Sequence, residues 1–307
     1  MNKGEGVFLT IEDVLVRLKG LKGVSGEGSQ EEKIRIVSEI LQQSNPKEGK
    51  YILRIVPGKL RLGFGNQFLL EAFSIAFFGD KKYLGKIKKS YSVCTDIGEL
   101  AEAFAEYGPK ALGHFSIQLG RPIKLMLAQR VENFEELEER VPGKKAAEEK
   151  YDGERVQIPK NGNEIQAFSR RLENITSQYP DLIEAIRKSV LVNKIVLDGE
   201  IVAYIEGKKR NERIEELYSF QKPMQRRRKY EIEKYMKVCP VTVFFFDILY
   251  LEERTLLKKS YPMRKTLLEK YVKESGVVHL ARRIATENLE EIEDFLMKPS
   301  KKDLKEL

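Results

Sequence analysis

Two apolar runs rich in β-branched and aromatic residues constrain this chain more than anything else in it: Ile195-Val-Leu-Asp-Gly-Glu-Ile-Val-Ala203 and Val241-Thr-Val-Phe-Phe-Phe-Asp-Ile-Leu-Tyr250. Runs of this kind belong to buried strands, so a sheet must cross the second half of the molecule. Ahead of them, residues 155–158 and 164–168 flank Asn161-Gly162, which predicts a hairpin closed by a two-residue turn. Gly120-Arg-Pro122 punctuates the chain where this strand-rich pattern begins, and one acidic amphipathic helix is expected over 131–140. After Tyr261-Pro262 the spacing returns to that of helix, and 287–307 reads as charged helix with no strand following.

The first third obeys a different period. Ser29-Gln-Glu-Glu32 has the form of a capping box, with Ile34, Val37 and Leu41 on one face of the helix it would open. A basic, glycine-punctuated stretch over 59–66 leads into Phe68, Leu69, Ala72, Phe73, Ala76 and Phe77, a helix ending near Gly79, and 97–107 repeats the style. The expected class is therefore α+β. An all-helical region over 1–119 precedes a mixed, mainly antiparallel domain over 120–307.

Composition excludes several alternatives. The 307 residues carry 55 Lys and Arg against 47 Asp and Glu, a formal charge of +8, and 41% are hydrophobic, well outside the disordered range. Cys94, Cys239, His114 and His279 rule out a disulfide scaffold and have no partners at zinc-ligand spacing, so no chemistry is assigned to them. No apolar run reaches membrane-span length and the first residues lack a signal-peptide layout, so a cytoplasmic protein is expected. The basic balance suits a polyanion partner. It equally suits a heat-adapted surface, as do the abundant Lys, Glu and Arg and the absence of Trp.

The sharpest chemical signal is Glu148-Glu-Lys150-Tyr-Asp152-Gly153-Glu-Arg155. A lysine amine is a nucleophile only when desolvation or a nearby cation favours its neutral form, and Arg155 is such a cation. The planar fork of an arginine also grips phosphate, so lysine and arginine together suit attack on phosphorus rather than on a carbonyl. A surface hairpin laced with ion pairs is the bland alternative.

Lys150-Tyr-Asp-Gly-Glu-Arg155 resembles the active-site motif of the covalent nucleotidyltransferases: DNA ligases, RNA ligases and capping enzymes. Further segments narrow the resemblance to archaeal-type ATP-dependent DNA ligases: Phe168-Ser-Arg-Arg-Leu-Glu-Asn-Ile-Thr176, Leu197-Asp-Gly-Glu-Ile-Val202, Phe246-Asp-Ile-Leu-Tyr250 and the basic tract 221–230. Leu60-Arg-Leu-Gly-Phe-Gly65 and Gly120-Arg-Pro-Ile-Lys-Leu-Met-Leu-Ala128 resemble that family's DNA-binding domain and the entry to its adenylation domain, so the likeness covers nearly the whole chain.

The resemblance implies a helical DNA-binding region followed by an adenylation domain. It also implies a reaction in which Lys150 attacks the α-phosphorus of ATP, AMP passes to the 5′-phosphate of a nick in duplex DNA, and the 3′-hydroxyl displaces it. Carried over position by position, Glu148 meets the adenine edge, Arg155 and Arg170 the ribose and phosphates, Glu200 the ribose hydroxyls or Mg2+, and Phe246 stacks on the base. A sliding clamp is an expected partner by the same route. The Glu-Gly-x-Met-x-Lys and Lys-x-Lys strands and the oligonucleotide-binding barrel of the family have no counterpart in these residues, nor does the earlier half of its DNA-binding domain. Glu293-Asp-Phe-Leu-Met-Lys298 echoes the first strand but falls in a helical run. The implied expectation is a weak or inactive fragment, or one completed by a second polypeptide. The alternatives are a non-catalytic remnant that binds nicked DNA or nucleotide, and an RNA ligase or capping-type enzyme.

Residue by residue, other readings compete. Strand alternation makes Phe246, within Phe244-Phe-Phe246, a core residue. Glu200 inside an apolar run is costly to bury alone, which favours a ligand-facing role. Arg170 beside Arg171 reads as a solvated pair, and Arg226-Arg-Arg-Lys229 as a solvated loop or helix face, with phosphate contact as the alternative. Gly63-Phe-Gly65 fits a tight turn better than a phosphate cradle.

Overall fold

The computed structural model describes residues 9–26, 28–57, 63–204 and 232–297. The tract 221–230, residues 59–62 of the basic stretch, and the chain from Lys298 onward lie outside the described residues. The chain forms two compact units, Met1–Leu69 and Leu70–Leu307.

The first unit is helical: α1 (Ile11–Gly20), α2 (Ser29–Gln43), α3 (Pro46–Ile55) and the first turn of α4 (Asn66–Phe78). Capping chemistry places two of these starts. Thr10 and Asp13 form a reciprocal capping box on α1; Asn45 and Glu48 do so on α3, with Pro46 at the first helical position. The box expected at Ser29 does not form. Gly28, at φ 77°, is the N-cap of α2, and Ser29 already lies inside the helix. The buried side of α2 centres on Ile40, and Ile34 is exposed. Gly63, at φ 82°, and Phe64, whose ring lies 4.9 Å from Phe68, make the turn into α4, consistent with tight-turn packing.

In the second unit, α4 continues into α5 (Leu84–Cys94) and α6 (Ile97–Tyr107), which pack around Leu70, Ile87, Tyr91, Leu100 and Phe104. Phe73, Phe78 and Phe115 meet the Phe104 ring edge-on at 5.1 to 6.3 Å. An extended segment then leads to α7 (Phe134–Arg140), β1 (Lys145–Glu148), β2 (Glu154–Asn161), β3 (Glu164–Ile165), β4 (Phe168–Ser169), α8 (Pro180–Ser189), β5 (Lys194–Ala203), α9 (Ile232–Val238), β6 (Val241–Leu251), β7 (Arg254–Thr255), α10 (Tyr261–Tyr271), β8 (Val278–Leu280), β9 (Arg283–Thr286) and α11 (Leu289–Met297).

The main sheet runs β3-β2-β5-β6-β7, with β4 on β2 and β8 on β6; only the β6–β8 pair is parallel. β1 and β9 form a separate antiparallel ribbon. The hairpin after β2 is present, but Asn161 pairs with Glu164, so Gly162 and Asn163 make the turn, with Gly162 at φ 58°. The short strands β8 and β9 interrupt what the sequence reads as a helical tail.

The two faces of the sheet differ. One carries Val156, Ile158, Leu197, Ile201, Val243 and Phe245 against Leu182 and Ile186 of α8 and Leu268 of α10, the main core. Val196, Leu249 and Tyr250 on the other face are covered at one end by Ile117 and Ile123 of the extended segment. Gln157 fixes that cover, accepting from the Ile123 amide at 2.7 Å. Beyond that cover the second face carries Arg155, Asp198 and Glu200, bordered by a small apolar cluster of Tyr151, Val202, Phe244 and Ala281, and the candidate site lies there.

Candidate active site

Lys150 sits between β1 and β2, and both flanks of this connection are tied down. On the upstream side Glu149 accepts from Arg282 Nη1 and from the Tyr151 hydroxyl, each at 2.8 Å, and the Glu149 amide donates to the Arg282 carbonyl at 3.1 Å. Tyr151 is buried and its ring lies flat on Phe244, centroids 3.9 Å apart at 9°, with His279 stacked next at 5.3 Å from Phe244. Downstream, Gly153 passes so close to β5 that a Cβ there would stand 2.2 Å from the Ile201 carbonyl oxygen. A side chain is excluded, which is the physical reason for glycine in the motif. Lys150 itself is exposed. The described residues do not form the desolvated pocket that a nucleophilic lysine asks for.

Directly across from the loop, Arg155 of β2 pairs in register with Glu200 of β5, so the two share the polar face. Glu200 accepts from the Gly153 amide and feels the charges of Lys150 and Arg155, but burial dominates and pushes its carboxyl up to about 7. Arg155 donates to both oxygens of Asp198, at 3.2 and 2.8 Å, and to the Met126 carbonyl at 3.3 Å. Burial works against the Arg155 charge, and Asp198, Glu200 and Asp247 together more than offset it. Asp198 in turn faces Asp247 across β5 and β6, and that second carboxylate is held by Arg264 of α10 at 2.8 and 3.1 Å. Two adjacent carboxylates are thus each neutralised by an arginine.

Phe246 corrects an expectation. Phe245 pairs with Gly199 and lies in the core, so Phe246 turns to the opposite, polar face, half-buried, where Arg155 lies 5.4 Å from its ring centroid. Asp247 pairs with Asp198, so Phe246 is the extra residue of a β-bulge that keeps Asp247 on the same face. Gly199 makes this possible: a Cβ there would come within 2.7 Å of the Phe244 carbonyl oxygen.

Glu148, the last residue of β1, bonds to Lys265 Nζ of α10, and the same ammonium donates to the Phe246 carbonyl. Burial, reinforced by the nearby Glu148 carboxylate, raises the Tyr261 hydroxyl above its ordinary value. The site therefore gathers Glu148, Lys150, Arg155, Glu200 and Phe246. Arg170 makes no hydrogen bond or ion pair with them. It is exposed one residue beyond the Val156–Ser169 pair, without a hydrogen bond or ion pair among the described residues. Sequence reasoning missed Tyr151, Asp198, Asp247, Arg264, Lys265 and Arg282. Asp198 carried a signal, as a second carboxylate in the apolar run of β5; Arg264 and Lys265 carried none. No group of three His, Cys, Asp or Glu suited to a metal ion occurs among the described residues.

Comparison with known proteins matches the chain to the family described as ATP dependent DNA ligase domain over residues 125–305, and to DNA ligase N terminus over residues 3–74. It is 70% identical to "DNA ligase 1" of Methanosarcina barkeri over 99% of this chain and 55% of that protein. It is 37% identical to "DNA ligase" of Sulfurisphaera tokodaii over 94% of this chain and 47% of that protein. It is 40% identical to "Probable DNA ligase" of Aquifex aeolicus over 95% and 49%. The chain spans about half the length of the curated relatives it matches.

Proposed function

Because the chain belongs to the ATP dependent DNA ligase domain family, we propose that it is the adenylated part of an enzyme that seals nicks in duplex DNA. Lys150 Nζ attacks the α-phosphorus of ATP. A P–N bond forms, the bond from that phosphorus to the bridging oxygen breaks, pyrophosphate leaves and the amine gives up a proton. The adenylate then passes to the 5′-phosphate of a nick, and the 3′-hydroxyl displaces AMP. One observation carries this reading: Glu200 feels the charges of both Lys150 and Arg155, and that arginine in turn lies against the Phe246 ring. A phosphate-binding cation and a base platform share one sheet face, with the nucleophile on the loop that leads into it. Stacking on such a ring contributes about 1–3 kcal/mol.

Arg155 binds the ribose and phosphate region, Glu148 accepts from the adenine edge, and Arg170 reaches the phosphates from the exposed turn after β4. Glu200 would hold the ribose hydroxyls or a magnesium ion. Magnesium ordinarily takes one or two protein carboxylates and leaves its remaining positions to substrate phosphates and water, which suits a single unpaired carboxylate. When bound, the ion supplies neutralisation of the triphosphate charge. The division of labour we propose assigns DNA contact to residues 1–119 and adenylation to 120–307. Exposed cation-aromatic neighbours such as Lys50 and Arg54 around Tyr51 suit a duplex backbone. Action in the cytoplasm, recruitment by a sliding clamp and completion by further polypeptide belong to the same reading. No helix among the described residues is long and apolar enough to cross a membrane.

The test is label transfer under denaturing electrophoresis. ATP labelled at the α-phosphorus is expected to mark the protein in an acid-labile, alkali-stable bond, and ATP labelled at the γ-phosphorus is expected to leave it unmarked. Equal labelling from both, or from neither, contradicts the reading.

A further inference from the structure

Lys265 is buried to 2% exposure, and a lysine there needs partners to keep its charge. Two of its three N–H donors are spent on groups that belong to different parts of the candidate site: the Glu148 carboxylate at the end of β1, and the Phe246 carbonyl inside the β6 bulge. Its stem and ammonium lie by the Tyr261 ring, Nζ 5.0 Å from the centroid. The preceding residue, Arg264, holds Asp247, the next residue of the same bulge. The start of α10 therefore grips the bulge that holds Phe246 and Asp247 on the polar face, and from the same point reaches over to Glu148, 117 residues earlier in the chain.

We infer that Lys265 is a positioning residue that sets the base preference of the nucleotide site. This rests on the reading above, in which Glu148 meets the base edge and Phe246 its face. A carboxylate accepts hydrogen bonds and donates none, so a fixed Glu148 favours the exocyclic amine of a 6-aminopurine and opposes the 6-oxo group of guanine. Fixing matters because a carboxylate free to rotate exposes either oxygen in many directions and loses geometric selectivity. Lys265 takes one Glu148 oxygen and leaves the other for the base. Its remaining contact with the Phe246 carbonyl locks the platform and the edge reader into one relative geometry.

The experiment compares the affinity of the chain for ATP with that for purine riboside triphosphate, which lacks the 6-amino group, in wild type, Lys265→Met and Lys265→Arg. Wild type is expected to prefer ATP by about tenfold, the scale of one hydrogen bond to a charged acceptor. In Lys265→Met the preference is expected to fall below about twofold while purine riboside triphosphate binds nearly as before, and Lys265→Arg is expected to recover part of it. A merely structural role would weaken both nucleotides together. Should Lys265→Met not fold, Lys265→Gln, which still donates to the Phe246 carbonyl, carries the same prediction. A wild type preference retained in these variants overturns the inference alone. A wild type that binds neither nucleotide overturns the underlying nucleotide site as well.

Discussion

Both oxygens of Asp198 hold the guanidinium of Arg155, at 3.2 and 2.8 Å, while the same guanidinium lies 5.4 Å from the centre of the Phe246 ring. One buried carboxylate thereby fixes the cation that the site offers to phosphate. Lysine has no planar fork, so Arg155→Lys is expected to lower ATP affinity by about tenfold and leave the folded state little changed. Asp198→Asn removes the charge partner of a largely buried arginine and is expected to cost about 2–4 kcal/mol of stability. Titration calorimetry and urea unfolding measure the two; an Arg155→Lys protein with unaltered ATP affinity contradicts the assignment.

Glu200 makes stability depend on pH. Burial raises its carboxyl from 4.5 to about 7, so the folded chain binds this proton more tightly than the unfolded chain does. The stabilisation is complete below about pH 4.5 and is lost as pH rises through about 7. In EDTA, wild type is expected to lose about 2 kcal/mol relative to Glu200→Gln between pH 5 and pH 8, after allowance for residual solvent screening. Parallel stability profiles for the two proteins would show that the carboxylate is ordinary.

Tyr151 anchors the loop that carries Lys150 through its stack on Phe244 and its hydroxyl bond to Glu149. Tyr151→Ala is expected to slow adenylation by about a hundredfold, the scale attached to misplacing a reacting group by an ångström. Tyr151→Phe keeps the stack and is expected to lose about threefold to tenfold. Single-turnover rates separate them; equal rates for Ala and Phe variants would place the anchoring elsewhere.

At Gly153 even a methyl group collides with the Ile201 carbonyl oxygen. Because β5 is held on both sides by β2 and β6, it has little freedom to retreat. Gly153→Ala is expected to destabilise by about 1–3 kcal/mol, as overpacking does in other cores, and to lower the melting temperature accordingly. A melting temperature equal to that of wild type would show that the loop can move away from β5.

Much of this arrangement is legible in the order of residues. The long apolar runs become β5 and β6, the spacing of Phe68, Phe73 and Phe77 becomes α4, and residues 97–107 form α6. Lys150, Arg155 and Glu200 stand out because each is a charge beside glycine or apolar strand. What escapes is whatever depends on a shift of one residue or on distant partners. Strand pairing decides which of Phe244, Phe245 and Phe246 faces the core, and it moves the turn after β2 to Gly162 and Asn163. Lys265 looks like a solvated helix residue until α10 is laid against β6. The three-residue strand β8 is short enough to vanish into its flanks, though it places His279 under Phe244.

The central claim is that Lys150 is the adenylated nucleophile. Intact-mass measurement of the chain after incubation with ATP and magnesium, followed by fragmentation of the product, tests it directly. A mass increase of a single adenylate is expected, located on Lys150 and absent from Lys150→Ala. An unmodified wild type in a demonstrably folded preparation, or an adduct that persists in Lys150→Ala, would contradict it.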